Sequence, residues 1–237
     1  MTDRKFRDYC YEGLGLGIFM FSAGFFDAII DYPDLPIRQH LHSALLRRFL
    51  IGLSMGATAL FIFNAPFGKK SGAYINPAVT IVQYRLQNID RRDAAFYILF
   101  QFIGGSVGMY LVYFLMPGLI SSPAINYIVT QPGSAGTTVA FIMETIISFL
   151  IIITVLFTSY HQTLYKYTSY FVVVLITLFI TFEAPYSGMS MNPARTFSSA
   201  IVSNQWKVFW LYCIAPIIGM LLGEMFFVWK RKPFVSV

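Results

Sequence analysis

Two ten-residue blocks hold the side chains whose types and spacing could do chemistry. SGAYINPAVT covers residues 71–80, and SGMSMNPART covers residues 187–196. Aligned without gaps, the blocks share Ser, Gly, Asn, Pro, Ala and Thr at matching places, 116 residues apart. Asn76 and Asn192 offer amide donors and Arg195 offers a guanidinium, which are groups that bind and orient a polar solute. The sequence has no nucleophile beside a base and no metal-ligand or phosphate-loop motif, so we expect no enzyme activity, no metal and no cofactor.

Each block predicts the start of a short helix. An Asn followed directly by Pro is typical of an N-cap and the first helical position, so the helices should begin after Asn76 and Asn192. The first, over residues 77–85, would be about 14 Å long, about half of a hydrocarbon layer about 30 Å thick. Neither helix can span a membrane alone. Broken segments at equivalent places in two halves of a membrane chain indicate a site near the bilayer midplane.

The composition is that of an integral membrane protein. Apolar and aromatic residues make up 57% of the 237 residues, only 12% are charged, and the mean hydropathy is +0.63. The net charge of +6 comes from basic residues at the ends of apolar runs. This placement is typical of orientation signals beside lipid, and we expect no nucleic-acid partner. The apolar runs are helical in length and lack the alternation of barrel strands.

We predict an all-α membrane protein with six transmembrane helices and two re-entrant half-helices. The chain should form one channel domain over residues 1–237, with a first repeat over about 1–120 and a second over about 135–237. Each repeat has three spans, so the second is inserted upside down and the half-helices come from opposite faces. The predicted spans are 9–30, 44–63, 94–116, 138–160, 167–182 and 207–229, with half-helices at 77–85 and 193 to about 203.

The distribution of basic residues predicts the orientation. With six spans, both termini lie on one side, and twelve of the 17 Lys and Arg residues fall on that side. The positive-inside rule therefore predicts that both termini are cytoplasmic. We expect a multi-pass protein of the cell membrane, either a plasma membrane or an inner membrane.

Several motifs along nearly the whole chain resemble the aquaporin family, also called major intrinsic proteins. They are the two Asn-Pro-Ala blocks, Glu12 with FSAG after it, FYILFQFIGG around Gln101, Glu144 in the fourth span, and Pro216 with Gly219. This resemblance implies a passive pore and assembly as a homotetramer with one pore per subunit.

Six residues are predicted to form the central constriction of the pore. Two facing helix N-termini would each carry about half a positive charge, which disfavours a dehydrated cation. The resemblance further implies that a water molecule held by both amides would interrupt a proton wire. The predicted constriction consists of Asn76, Pro77, Ala78, Asn192, Pro193 and Ala194.

A second constriction, the selectivity filter, is implied by the resemblance around Arg195. The fifth-span position that is often His in narrow water pores is Ile180 here, and the loop position is Met189. The second-span position falls on Gly56 or on Met55. Losing both His and an aromatic residue favours a wider, less polar opening. Thr196 and Ala200, in contrast, are the types found in water channels.

The predicted function is a passive channel for water that excludes ions and protons. A broader channel for glycerol or other small uncharged solutes is the first alternative. A coupled secondary transporter is the second, because Glu12 and Glu144 are charges inside apolar spans. We instead favour a structural role, in which each carboxylate accepts backbone N–H groups of the segment leading to a half-helix.

The segments before each Asn are predicted to be extended and to line the path with backbone carbonyls. Three other acidic residues, Asp27, Glu183 and Glu224, are predicted to lie near span ends and to face water. The carbonyl ladder is predicted to consist of Gly72, Ala73, Tyr74, Ile75, Gly188, Met189, Ser190 and Met191.

Overall fold

Eight helices position the site, and the described chain has six helical segments long and apolar enough to cross a membrane. The structure is a computed structural model that describes residues 3–231, so residues 1–2 and 232–237 of the predicted domain, including Lys232, lie outside the described part. We label the helices in chain order as α1 (Asp3–Asp31), α2 (Ala44–Asn64), α3 (Pro77–Arg85), α4 (Arg91–Leu115), α5 (Gly136–Ser159), α6 (Thr168–Leu178), α7 (Pro193–Ser203) and α8 (Phe209–Arg231).

Shorter helical pieces complete the connections. Between residues 3 and 231, α6 is the one labelled helix that continues through other helical forms. It passes into a π-helical turn over Phe179–Glu183 and then into Ala184–Ser187, so the fifth span reaches Ser187. The remaining pieces are Pro36–His40, Pro66–Ser71, Pro117–Ile120, Asn126–Ile128 and Leu164–Tyr167.

The predicted fold class is confirmed, with differences at the ends of helices. α1 begins at Asp3 rather than near Tyr9, because its charged first turns pack against the start of α4. There, Lys5 forms salt bridges with Asp90 and Asp93, at 3.0 and 2.7 Å, and the Tyr9 hydroxyl donates to Asp93 at 2.5 Å. These polar contacts carry no hydropathy signal, so an apolar run alone could not reveal this extension.

Side-chain caps explain where several helices begin. Ser43 accepts from the backbone N–H of Leu46 at the start of α2, and Asp90 accepts from Asp93 at the start of α4. The two half-helices α3 and α7 begin after Asn76 and Asn192, as the Asn-Pro pairs predict. In each case the side chain satisfies at least one of the N–H groups that lack an intrahelical partner.

Glycines allow two helix pairs to approach closely. A methyl group at Gly104 of α4 would collide with the backbone of Gly13 in α1, and one at Gly219 of α8 would collide with the carbonyl of Thr145 in α5. The same interhelical packing thus recurs once in each repeat, and close backbone contact is the usual role of small residues in membrane helices.

Large apolar side chains cover the outer surface of the bundle. Phe114 is 81% exposed, Trp229 63% and Leu115 62%. In water such a surface would be unfavourable, but against lipid tails these side chains are well solvated. The apolar outer surface and the six apolar helices are together those of a multi-pass membrane protein.

Candidate functional site

The N-terminal ends of the half-helices α3 and α7 meet at the centre of the molecule. The Asn76 amide donates from Nδ2 to the carbonyl of Met191 at 2.8 Å, and the Asn192 amide donates to the carbonyl of Ile75 at 2.8 Å. Each asparagine therefore binds the residue directly before the other. The two hydrogen bonds are thus reciprocal and join the two sequence blocks.

Each amide keeps hydrogen-bonding capacity after forming these contacts. Oδ1 of Asn76 accepts from Ala78 N–H at 2.9 Å, and Oδ1 of Asn192 accepts from Ala194 and Arg195 N–H at 3.0 and 3.2 Å. Because an amide nitrogen carries two hydrogens, one hydrogen of each asparagine remains for another partner. Both side chains also line a cavity, so that hydrogen can be offered to a solute.

Glu12 and Glu144 hold the two segments that lead into the half-helices. Glu12 accepts from the backbone N–H of Tyr74 and Ile75, at 3.0 and 2.6 Å, and from the Gln101 amide at 2.8 Å. Both carboxylates are 0% exposed. These contacts supply partners for buried backbone groups that no helix could satisfy.

The second carboxylate repeats the pattern of the first. Glu144 accepts from the backbone N–H of Ser190 and Met191, at 2.6 and 2.8 Å, and from the Ser187 hydroxyl at 2.9 Å. Each glutamate thus binds two consecutive backbone N–H groups and one side-chain donor. The two repeats use the same arrangement on opposite sides of the central asparagines.

The segments before the asparagines are not simply extended, contrary to the prediction. Ala73 and Ile75 have positive φ angles of 47° and 41°, and Met189 and Met191 have 50° and 54°. A β-branched residue such as Ile75 rarely adopts this conformation, which costs on the order of 1–3 kcal/mol and occurs where surrounding contacts enforce it. The glutamate contacts supply that enforcement.

All eight residues of the predicted carbonyl ladder line the cavity. Within residues 3–231, no protein donor reaches the carbonyls of residues 72–74 or 188–190, whereas the carbonyls of Ile75 and Met191 accept from the asparagines. Free carbonyls beside a cavity can accept hydrogen bonds from a solute.

One cavity of about 720 Å³ contains the site and contacts residues from both ends of the helices. We call the part beside Arg195 the Arg195 half; its wall includes Asp27, Asp31, Arg48 and Arg195. We call the part beside Val79 the Val79 half; its wall includes Asn64, Lys69, Val79, Ser159 and Lys166. The two asparagines lie where the halves join.

The long connection between the repeats holds Arg195. Its Nη1 donates to the carbonyl of Ile128 at 3.2 Å and to the hydroxyl of Thr130. Asn126, Tyr127 and Ile128 all have positive φ, so this connection adopts an unusual conformation where it meets Arg195. The sequence interpretation missed both partners, because a backbone carbonyl and a single threonine in a loop carry no motif.

The predicted filter residues are only partly brought together. Met55, Ile180, Met189 and Arg195 line the cavity. Gly56 is absent from its wall among the described residues; it faces α6 instead, and an added Cβ would lie 2.8 Å from Thr177 Oγ1. Since neighbouring helical residues point about 100° apart, only one of residues 55 and 56 can face the cavity. Of the two candidates for the second-span position, Met55 is the one that lines the cavity.

Pro77, Ala78, Pro193 and Ala194 form the first turns of α3 and α7 and are buried. They are outside the cavity wall in the described chain. Their backbone matters to the site because the N–H groups of the two alanines bind the asparagine oxygens. The prolines fix the first helical φ angle and need no N–H partner there.

Two of the three acidic residues predicted to face water do not. Glu183 and Glu224 are both 5% exposed. Glu224 pairs with Arg85 at 3.0 Å, and neither oxygen of Glu183 has a hydrogen-bond partner in residues 3–231. Asp27 lines the Arg195 half of the cavity. The position of a residue near a span end therefore did not predict whether its side chain is buried between helices or lines the cavity.

Comparison with known proteins agrees with this geometry. The family model described as "Major intrinsic protein" matches residues 4–227. "Aquaporin-4" of Bos taurus is 30% identical over 177 residues, covering 73% of this chain and 54% of that protein. "Aquaporin NIP3-1" of Arabidopsis thaliana is 33% identical over 161 residues, covering 66% of this chain and 49% of that protein. The chain thus spans about half the length of these curated relatives.

A solved structure shares the fold. The X-ray structure of the aquaglyceroporin from Plasmodium falciparum superposes with a TM-score of 0.80 at 23% identity, covering 94% of this chain and 95% of that chain. At this identity the likeness concerns the fold, and it extends over nearly the whole of both chains.

Proposed function

This chain belongs to the major intrinsic protein family, a family of membrane channels, and from that premise we propose that it is a passive channel for water that excludes ions and protons. The observation that carries the proposal is the meeting of two half-helix ends inside one cavity that contacts residues from both sides. A solute crossing that cavity must pass the remaining amide hydrogens of Asn76 and Asn192.

The central constriction favours neutral solutes with lone pairs. Each half-helix end contributes about half a positive charge, and the amides add donors at the same place. A water oxygen is accepted there, whereas a cation that has lost its hydration shell meets a positive field. A water molecule bound by both amides directs its hydrogens away from the centre, which interrupts proton transfer along the file.

Arg195 provides the second barrier in this proposal. Two of its contacts, to Ile128 and Thr130, involve Nη1, so donors on Nε and Nη2 stay available to a passing solute. Its fixed charge repels cations before they reach the centre. The free carbonyls of both ladder segments supply the complementary acceptors along the way.

A broader channel for glycerol or similar solutes is the second candidate. The filter wall consists of Met55, Ile180 and Met189 in addition to Arg195, and this apolar surface suits the carbon side of a polyol. The structural neighbour being an aquaglyceroporin supports the same candidate. Thr196, in contrast, supports the water channel, because threonine is the residue type found at this position in water channels. Its hydroxyl forms hydrogen bonds with the hydroxyls of Ser190 and Thr130, which stabilise the cavity wall.

A coupled transporter receives less support. Glu12 and Glu144 each accept from two backbone N–H groups and one side-chain donor, and these three bonds fix the position of each carboxylate. A proton-carrying residue must change its partners during transport, whereas these carboxylates brace the two half-helices.

Purified protein in proteoliposomes tests the proposal by stopped-flow light scattering. Under an osmotic step with sucrose, without any ion gradient, we expect fast shrinkage with a low activation energy. A step with glycerol then distinguishes the two candidates, since only a broader channel re-swells quickly. Proteoliposomes that match empty vesicles in both steps, or that need an ion gradient, would contradict a passive channel.

We further propose a single channel domain of two inverted repeats, with both termini cytoplasmic in a plasma or inner membrane, and a homotetramer with one pore per subunit. Cysteine labelling from each side at the exposed loop residue His161 tests the orientation, and cross-linking in the membrane tests the tetramer.

A further inference from the structure

The α1 wall of the cavity carries an acidic residue that the proposed mechanism does not use. Phe19, Ala23, Asp27 and Asp31 are spaced four residues apart and all line the cavity. Side chains at this spacing share one helix face, so they form a continuous strip along the path. Asp27 belongs to the Arg195 half, whose wall also includes Asp31 and Arg195.

Asp27 has no structural partner to explain it. Asp31, one helical turn further on, forms salt bridges with Arg47 at 2.5 Å and Arg38 at 3.4 Å. Arg48 on the same wall donates to the carbonyl of Thr181 at 3.0 Å. Across residues 3–231, Asp27 forms neither a salt bridge nor a hydrogen bond. Its carboxylate is thus an unengaged acceptor that borders the path.

A comparison of the two repeats indicates that the Asp27 carboxylate is not required for folding. Aligning Glu12 with Glu144 pairs Phe19 with Ile151, Ala23 with Val155 and Asp27 with Ser159, and all of these residues line the cavity. The Val79 half therefore forms its corresponding wall without a charge at this place. A requirement for folding would apply to both repeats, whereas an acidic group in one half alone points to the solute.

We propose that Asp27 is a specificity-determining residue of this pore. Arg195 supplies donors and Asp27 supplies an acceptor from a different helix, and Met55, Ile180 and Met189 add apolar surface to the same cavity. Small neutral solutes that carry polar hydrogens, such as hydroxyl or amide groups, are thereby favoured over solutes that can only accept. The inference rests on the proposed channel function, because it concerns which neutral solutes that channel passes.

The test compares Asp27→Leu and Asp27→Asn with the unmodified protein in proteoliposomes, using urea, glycerol and water. Leu removes the acceptor at similar size, and we expect it to lower the urea-to-water and glycerol-to-water permeability ratios by about threefold to tenfold, the effect of one lost hydrogen bond in the barrier. Asn keeps an acceptor without the charge and should give intermediate ratios.

Asp34→Leu is the control, because Asp34 is an exposed aspartate outside the cavity wall of the described chain. It should leave both ratios unchanged. Ratios unchanged by Asp27→Leu, or lowered equally by Asp34→Leu, would overturn the role of Asp27. Failure of the channel function is a separate result: the unmodified protein would then pass neither water nor solute.

Discussion

The Arg195 half and the Val79 half of the cavity have matching backbones and different side-chain chemistry. Each contains four ladder residues and one asparagine at a half-helix start, and a buried glutamate outside the cavity wall of the described chain holds each ladder segment. The residue three places after the asparagine, however, is Arg195 in one half and Val79 in the other. The acidic Asp27 likewise corresponds to Ser159. The difference teaches that duplicated parts build the passage, while the parts that differ are candidates for selecting what passes.

Removing the shared glutamates should have the largest effect and tests whether the halves are equivalent. Glu12→Ala and Glu144→Ala each leave two buried backbone N–H groups and one side-chain donor without an acceptor, at about 1–3 kcal/mol for each group. We expect both variants to lose most folded protein, measured as the yield of monodisperse protein in detergent and its thermal midpoint.

Glu183→Ala is the control for these variants. Glu183 is equally a buried glutamate, but its carboxylate has no partner in the described chain, so its loss should cost little. A stable Glu12→Ala beside an unfolded Glu144→Ala would show that the two repeats are not braced alike.

Replacing Arg195, at which the two halves differ, tests whether this residue determines the selectivity. Arg195→Val gives the Arg195 half the residue of the other half and removes a fixed cation. We expect glycerol and cation permeability to rise by about tenfold, as expected for losing roughly 1.4 kcal/mol of barrier, while water permeability changes little. Stopped-flow scattering and a dye-based cation flux assay measure these changes.

Val79→Leu, an apolar change at the matching place, should leave ion exclusion intact. If Arg195→Val excluded cations as well as the unmodified protein does, the barrier would lie with the half-helix ends alone.

A smaller difference is expected between the two asparagines. Asn76→Ala and Asn192→Ala each lose a helix cap and a bond to the opposite repeat, for a total of about 2 kcal/mol. Asn192 should cost slightly more, because its oxygen accepts from two N–H groups and that of Asn76 from one. Thermal unfolding in detergent checks the order.

Asn64→Ala is the control, since Asn64 is an exposed cavity residue that makes a single local bond to Leu60. The comparison fails here if Asn76→Ala is clearly more damaging than Asn192→Ala.

The smallest effect should come from acidifying the medium around the α4 cap. Hydrogen bonding from the backbone N–H of Asp93, followed by Lys5, lowers the pKa of Asp90. A lowered pKa in the folded state means that this contribution is present above the ordinary pKa of about 3.9 and is lost as pH falls through the lowered value. Asp90→Asn should therefore reduce the loss of thermal stability between pH 5 and pH 3 by a small amount.

The second repeat provides the contrast for Asp90, since Trp206 stands at the corresponding position before α8. Trp206→Phe should leave the acid dependence unchanged. An identical pH dependence in the unmodified protein and in Asp90→Asn would contradict the role of the cap.

Much of the architecture could be predicted because it follows from periodic or repeated signals. Apolar runs located the six spans, and the repeated Asn-Pro pairs located both half-helix starts to the residue. Features that depend on tertiary contact could not be located this way. The π-helical turn over Phe179–Glu183 carries no composition signal, and nothing in a sequence window decides between Met55 and Gly56.

The same limit explains the errors about acidic residues. Glu224 was predicted to face water from its distance to a span end, but Arg85 comes from a half-helix 139 residues away in the chain and pairs with it. The positive φ angles of Ile75 and Met191 could not be predicted from the local sequence either, because neither is a residue type that favours positive φ. Contacts with the distant Glu12 and Glu144 impose that geometry.

The crossed bonds between Asn76 and the Met191 carbonyl, and between Asn192 and the Ile75 carbonyl, also bear on biogenesis. A ribosome delivers the first repeat before the second, so for that interval one hydrogen of the Asn76 amide and the Ile75 carbonyl lack their eventual partners. The first three spans can insert, but the half-helix ends cannot meet until the later half arrives. A nascent chain therefore completes the centre of its cavity only at the last stage of assembly.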